Sequence, residues 1–244
     1  KVSGPLLDAK LMSGVGAFRV PYVHGLTIGE LARMVKDELP PGGLAISAAA
    51  RARGKLTVIP MRGWRRSMRW PETGLAFVAT SQLVQNFDAV IGYAMVGLGC
   101  EVSGFSHGIG KEYPFRGVAF KGRTIDVLEK EFAAMHVAGV TYRRVSAPGA
   151  TGKPEPGLYV DVSNWDAWDP TELSFHMMRL ACRLNPPNPF ARLNAADVTR
   201  FNIHVGSEEW WTALRRDGAK VDVDGFIREW QRRNAIYQQQ TRKY

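Results

Sequence analysis

Residues 51–70 place basic and aromatic side chains close together. They include seven arginine and lysine residues and no acidic residue, and Trp64 and Trp70 stand among the cations. Arginine binds carboxylate and phosphate groups through paired hydrogen bonds, whereas the face of a tryptophan stacks on a sugar or on a base. The stretch predicts an anion-binding surface with an aromatic platform. The alternative is a solvated surface that carries two half-buried tryptophans.

Three titratable residues are candidates for acid–base chemistry or ligand binding. His24 follows a predicted strand, and its alternative role is a hydrogen bond to nearby backbone. Glu101 lies between an apolar segment and the glycine-rich loop 103–117. A carboxyl shielded by apolar neighbours has a raised pKa, as a general acid requires, and the alternative is a carboxylate bound to loop N–H groups. His107, in the same loop, is a further candidate.

His24 and the basic loop need a scaffold that places them together. Residues 17–23 and 56–60 predict two strands, and the apolar spacing between them predicts a helix over 28–39. A strand, a helix and a strand at this spacing form a βαβ unit with two parallel strands. Their carboxyl ends would carry His24 and residues 61–66 on one face of the sheet, where α/β proteins bind ligands.

The start of this helix is marked by Thr27 and Glu30, which have the spacing of a capping box. Two strands alone do not make a stable sheet. Residues 1–75 are therefore either the end of a larger sheet or a segment that packs directly on the later part of the chain.

From about residue 82 the pattern changes to that of an α+β region. A Thr124 cap, a Ser207 cap and an Asp224 cap predict three of its helices. The predicted helices include 82–99, 125–137 and 171–184, and the predicted strands are 140–146 and 158–163.

Composition excludes several classes of protein. With 45% hydrophobic residues the chain can form a core, which excludes disorder as its main state. No apolar run approaches the roughly 18–20 residues of a membrane helix. Two cysteines, Cys100 and Cys182, are too few for a disulfide scaffold, and whether they pair stays open. The net charge of +9 favours polyanions: nucleic acid, acidic membranes or an anionic cell wall.

Motifs for cofactors and metals are missing from the sequence. It has no phosphate-binding P-loop and no complete GxGxxG, so we expect no cofactor. Asp161, Asp166 and Asp169 do not have the spacing of a calcium loop, and the histidines form no zinc motif. We expect no metal site.

Three runs in this order resemble the NamZ-type exo-β-N-acetylmuramidases, a family long described as a domain of unknown function. They are VPYVHGLTIGELA at 20–32, LTVIPMRGWRR at 56–66 and CEVSGFSHGIGKEYPF at 100–115. The resemblance covers nearly the whole chain. It implies an α/β fold in which residues 1–85 form the C-terminal part of a Rossmann-like domain with a parallel sheet. Residues 86–244 would form a smaller α+β auxiliary domain, with the active site in the cleft between the two.

The resemblance also implies a function. Family members are secreted or periplasmic glycoside hydrolases that release N-acetylmuramic acid from the non-reducing end of peptidoglycan fragments. We therefore expect a peptidoglycan-derived saccharide as the ligand, and no nucleic acid. The family's earlier half would hold further catalytic groups, so we expect association with such an N-terminal segment, and the activity of the chain by itself stays open.

The residues that match the family's motifs, together with the candidate residues above, form one predicted site. Its catalytic residues are Glu101 and His24. Its substrate-binding residues are Arg62, Trp64, Arg65, Ser106 and His107. In the third run, Glu101-Val102-Ser103-Gly104 replaces the family's EGTN, and Gly108-Ile109-Gly110-Lys111 replaces its GRGT.

These departures keep other hypotheses open. The first is a non-catalytic protein of the same fold that binds glycan or cell wall. A further one is a basic nucleic-acid binder that uses residues 51–70, although no recognised nucleic-acid motif accompanies them.

Overall fold

A computed structural model describes residues 1–37, 47–99, 102–106, 108–149 and 152–244. The predicted mixture of helices and strands is confirmed in these ranges. The helices are α1 (Ile28–Asp37), α2 (Ala48–Arg53), α3 (Phe87–Val96), α4 (Ile125–Ala133), α5 (Glu172–Leu184), α6 (Ala195–Val205), α7 (Glu208–Asp217) and α8 (Val223–Thr241). The strands are β1 (Ser3–Leu6), β2 (Pro21–Val23), β3 (Gly108–Ile109), β4 (Tyr113–Pro114), β5 (Gly117–Val118), β6 (Val140–Pro148) and β7 (Pro154–Val162).

The larger sheet has three strands in the order β5-β7-β6, and both pairings are antiparallel. Its central strand, β7, sends Leu158 and Val160 into the core, where neither is exposed to solvent. The core continues into the helices, where the ring of Phe175 lies 4.9 Å from that of Trp210 and 4.4 Å from that of Trp230, measured between centroids. The sheet and the helices therefore share one apolar core.

Of the four predicted helix starts, three are confirmed in position and one is corrected. Thr124 is the N-cap residue of α4, although its side chain makes no capping hydrogen bond. Thr27 and Glu30 form the reciprocal capping box: the Glu30 carboxylate accepts from the Thr27 N–H at 2.7 Å, and the Thr27 hydroxyl accepts from the Glu30 N–H at 3.2 Å. Ser207 caps α7 as predicted. The cap of α8 is Asp222, whose carboxylate accepts from Gly225, and the prediction of Asp224 was wrong by two residues.

The predicted parallel strand pair was wrong. Residues 56–60 belong to no strand, and in the described residues every pairing is antiparallel. The partner of β2 is β1, which the sequence did not suggest because Gly4 and Pro5 are rare inside strands. Residues 56–60 instead lie over the start of α1, where the backbone at Gly29 comes close to Val58. The larger Rossmann-like sheet stays a prediction.

Helix α3 separates the two cavities described below, and Arg116 fixes it to the sheet. Arg116 is 3% exposed. Its Nε donates to the Val160 carbonyl of β7 at 2.6 Å, while its Nη1 and Nη2 donate to Asp88 at 3.1 Å and to Asp161 at 2.9 Å. Because Asp88 lies in the first turn of α3, the guanidinium ties that turn to β7.

The first residues of the chain pack against its last helix. The Asn234 side chain of α8 donates to the carbonyl of Gly4 in β1 at 3.1 Å. The Ser3 hydroxyl lies 2.7 Å from that of Thr171, at the start of α5. This packing places β1 and β2 beside the helices of the second half. No helix in the described ranges is both long and apolar enough to cross a membrane.

Candidate functional site

Two cavities meet at helix α3. The first, which we call the His24 cavity, has a volume of about 710 Å³ and is lined by His24, Tyr93 and Trp168 among others. The second, which we call the tryptophan cavity, has a volume of about 880 Å³ and includes Trp64 and Trp165. Val90 and Ile91 of α3 line both. The two cavities therefore lie side by side with α3 between them, and together we call them the cleft.

The environment of His24 favours a neutral imidazole that donates a hydrogen bond. Its Nδ1 accepts from the Leu26 N–H at 3.1 Å, which leaves the proton of the neutral ring on Nε2. Burial lowers the pKa of His24 below its ordinary value, because the charged ring loses hydration. The backbone bond that was the alternative role of His24 is therefore present. The ring also lines the cavity, where its Nε2–H could donate to a ligand.

Arg66 ties the loop after residue 60 to the His24 loop. Its Nη1 donates to the carbonyl of Gly25 at 2.6 Å, and its Nη2 pairs with the Glu30 carboxylate. Burial raises the pKa of Glu30, but hydrogen bonds from Arg66 and Thr27 outweigh it and hold the pKa below its ordinary value. Glu30 is therefore an ionised anchor that positions the two loops.

The tryptophan cavity is rich in aromatic side chains and carries cations at its edge. Phe87 and Trp165 stack with centroids 6.4 Å apart and an angle of 18° between their planes. The guanidinium of Arg69 lies over Trp165, 5.0 Å from the ring centroid. Trp64 is half-buried in the same cavity, and Arg62 lines it while remaining exposed. Flat apolar faces beside cations suit a sugar ring that carries an anionic substituent.

The structure brings together only part of the predicted site. Arg62 and Trp64 line the tryptophan cavity, and His24 lies in the neighbouring one. Arg65 is exposed and is not among the residues that line either cavity. The Ser106 hydroxyl accepts from the Ala119 N–H at 2.8 Å, so it is already engaged with backbone. Glu101 and His107 lie outside the described residues, as does Cys100.

Several cleft residues were missed by the sequence reasoning. Phe87 and Trp165 come from positions far along the chain from Trp64, and nothing local connects them. The one available signal was the spacing of Trp165 and Trp168, whose ring centroids lie 5.4 Å apart across the two cavities. Trp168 lines the His24 cavity, and its buried indole N–H finds no acceptor among the residues described.

Two of the three aspartates considered above for calcium have structural partners. Asp161 accepts from Arg116, and Asp169 accepts from the backbone N–H of Thr171 at 3.3 Å. Within the described ranges no group of three or more histidine, cysteine, aspartate or glutamate side chains is placed to hold a metal ion.

Comparison with solved structures shows the fold. A crystal structure of a DUF1343 family protein from Bacteroides fragilis NCTC 9343 superposes with a TM-score of 0.79 at 24% sequence identity. The match covers all of this chain and 62% of that chain.

Sequence comparisons show the family. The model for the N-terminal part of the exo-β-N-acetylmuramidase NamZ matches residues 1–88, and the model for its C-terminal part matches residues 91–244. A peptidoglycan β-N-acetylmuramidase NamZ from Bacillus subtilis (strain 168) is 32% identical over 145 residues. That alignment covers 59% of this chain and about a third, 32%, of the relative. The chain therefore belongs to the NamZ exo-β-N-acetylmuramidase family.

Proposed function

We propose that this chain functions as an exo-acting glycoside hydrolase, which releases N-acetylmuramic acid from the non-reducing end of peptidoglycan fragments. Membership of the NamZ family and the B. subtilis relative, whose name gives peptidoglycan as its substrate, support a glycosidase acting on peptidoglycan. We also propose that it acts in the periplasm or outside the cell, where that substrate lies.

The tryptophan cavity is the observation that carries the proposal. N-acetylmuramic acid is a pyranose with a lactyl carboxylate, so it needs an apolar platform and a cation. Trp64 supplies a half-buried aromatic ring in the cavity that Trp165 also lines, and Arg62 supplies a guanidinium at its edge. A bidentate contact between Arg62 and the carboxylate would orient the sugar.

The neighbouring His24 cavity adds a polar group. The neutral His24 ring could donate from Nε2. An acetamido carbonyl on the sugar is an acceptor for such a donor. Cleavage of a glycosidic bond also needs a proton donor to the leaving oxygen, and we assign that role to Glu101.

The test is release of free sugar from a defined substrate. The purified chain is incubated with the disaccharide N-acetylmuramyl-N-acetylglucosamine, and free N-acetylmuramic acid is measured by chromatography with mass detection. We expect product with the wild-type chain and none with Glu101→Gln. The matched control is Glu112→Gln, which removes an exposed carboxylate from the loop that follows Glu101 and should leave turnover unchanged.

A second candidate is a non-catalytic glycan-binding protein. The departures at residues 102–104 and the engagement of Ser106 with the Ala119 backbone favour it. It predicts that wild-type chain and Glu101→Gln bind the disaccharide equally and that neither releases sugar. Turnover that depends on Glu101 would exclude it.

A further inference from the structure

A small polar pocket lies away from the cleft, on the face formed by α4, α5 and the turn after α7. Its volume is about 300 Å³, and its charged lining consists of Glu131, Arg179, Arg183 and Lys220. Among the lining residues, three cations against one carboxylate leave an excess of two positive charges. About ten water molecules occupy this volume in liquid water. The pocket is therefore large enough for a tetrahedral anion with part of its hydration shell.

Arg179 is held in place by a buried histidine. The Nη2 group of Arg179 donates to His176 Nδ1 at 3.0 Å, and His176, which also lines the pocket, is 3% exposed. The other ring nitrogen, Nε2, faces carboxylate oxygens of Glu172 at 3.8 Å and Asp224 at 3.7 Å. These carboxylates therefore lie on the far side of the ring from Arg179.

The other cations of the pocket are arranged differently. Arg183 pairs with Glu131, which neutralises one charge within the lining. Lys220 ends the short 3-10 helix Gly218–Lys220, which is closed by a hydrogen bond from the Val221 N–H to the Gly218 carbonyl at 3.2 Å. In the part of the chain that the structure describes, no carboxylate forms an ion pair with Arg179 or Lys220.

We propose that this pocket binds a phosphate dianion, either free or at the end of a small monoester. Two cations without a carboxylate partner converge on one concave site, and a buried imidazole holds one of them rigid. Only one of the five N–H donors of Arg179 has an acceptor among the described residues, which leaves its planar fork for a tetrahedral anion. The excess of two positive charges matches a dianion better than a single carboxylate.

The test measures binding of inorganic phosphate to the full chain by calorimetry and by thermal shift, at constant ionic strength and pH. We expect saturable binding with a dissociation constant on the order of 1 mM or below. Arg179→Gln and Lys220→Gln should each weaken it by about tenfold or more. Lys220 is exposed, so Lys220→Gln is expected to fold even if Arg179→Gln does not.

Two control variants remove the same charge elsewhere. Arg200→Gln and Arg232→Gln each remove an exposed arginine from a local ion pair and should leave phosphate affinity unchanged. Glycerol 3-phosphate distinguishes the two sources, because binding as tight as that of phosphate indicates a monoester and clearly weaker binding indicates the free ion. The proposal is overturned if no saturable binding appears up to about 20 mM phosphate, if acetate binds equally well, or if the controls weaken binding as much as Lys220→Gln.

Discussion

Arg116→Met should destabilise the fold by about 2 kcal/mol, because the guanidinium joins α3 to the sheet. Its bond to the Val160 carbonyl lies in the core and contributes about 2 kcal/mol as a charged hydrogen bond. Asp88 and Asp161 have side chains 63% and 56% exposed, so solvent screens these pairs to about 0.5 kcal/mol each. Methionine keeps the apolar stem, and relief of the desolvation of the guanidinium offsets about 1 kcal/mol.

The assay is urea unfolding of the full chain, followed by tryptophan fluorescence and by far-ultraviolet circular dichroism. We expect a lower midpoint for Arg116→Met with an unchanged slope. The matched variants Asp88→Asn and Asp161→Asn should each cost less than about 1 kcal/mol, since each removes one screened pair. The reasoning is refuted if Arg116→Met is no more destabilising than these two, because the buried bond to Val160 would then contribute nothing.

Three further predictions concern other positions. Gly92→Ala should destabilise by about 1–3 kcal/mol in urea unfolding, because its Cβ would lie 2.1 Å from the Phe115 carbonyl oxygen; an unchanged or higher stability would contradict that packing. Glu30→Gln should cost up to about 1 kcal/mol at pH 7, through loss of the pair with Arg66. Because the folded-state pKa of Glu30 is lowered, this cost is present above pH about 4.5 and disappears as the pH falls through the folded value; a cost that grows in acid would contradict the assignment. Burial raises the pKa of the Cys182 thiol to about 12, so mass spectrometry should find Cys182 unmodified by a thiol reagent at pH 8 until the chain is unfolded. Fast labelling in the native state would contradict its burial.

Local signals in the sequence predicted local structure well. The capping box of Thr27 and Glu30 forms as expected, since both of its hydrogen bonds lie within four residues. The helix predicted over 82–99 forms over Phe87–Val96, because Asn86 caps its start and Gly97 follows its end. The apolar spacing continues past both ends of this helix. The capping side chain and the glycine set its ends, so the prediction was too long.

Long-range pairing was harder to predict. Residues 56–60 have the composition of a strand, yet Ile59 is 86% exposed and no neighbouring strand pairs with them in the described ranges. A strand forms only when another strand pairs with it, and the composition of a segment does not show which segment that is. The same limit applied to the cleft, where Trp64 was found from its basic neighbours but Phe87 and Trp165 were brought to it by tertiary packing.

The central claim is that the tryptophan cavity binds a peptidoglycan-derived saccharide, and calorimetry tests it most directly. N-acetylmuramyl-N-acetylglucosamine is titrated into the chain carrying Glu101→Gln, so that turnover does not deplete the ligand. We predict saturable binding that weakens by about tenfold or more with Trp64→Ala and is largely kept with Trp64→Phe, since an aromatic ring preserves the stacking face. Absence of binding, or equal affinity with Trp64→Ala, would contradict the claim.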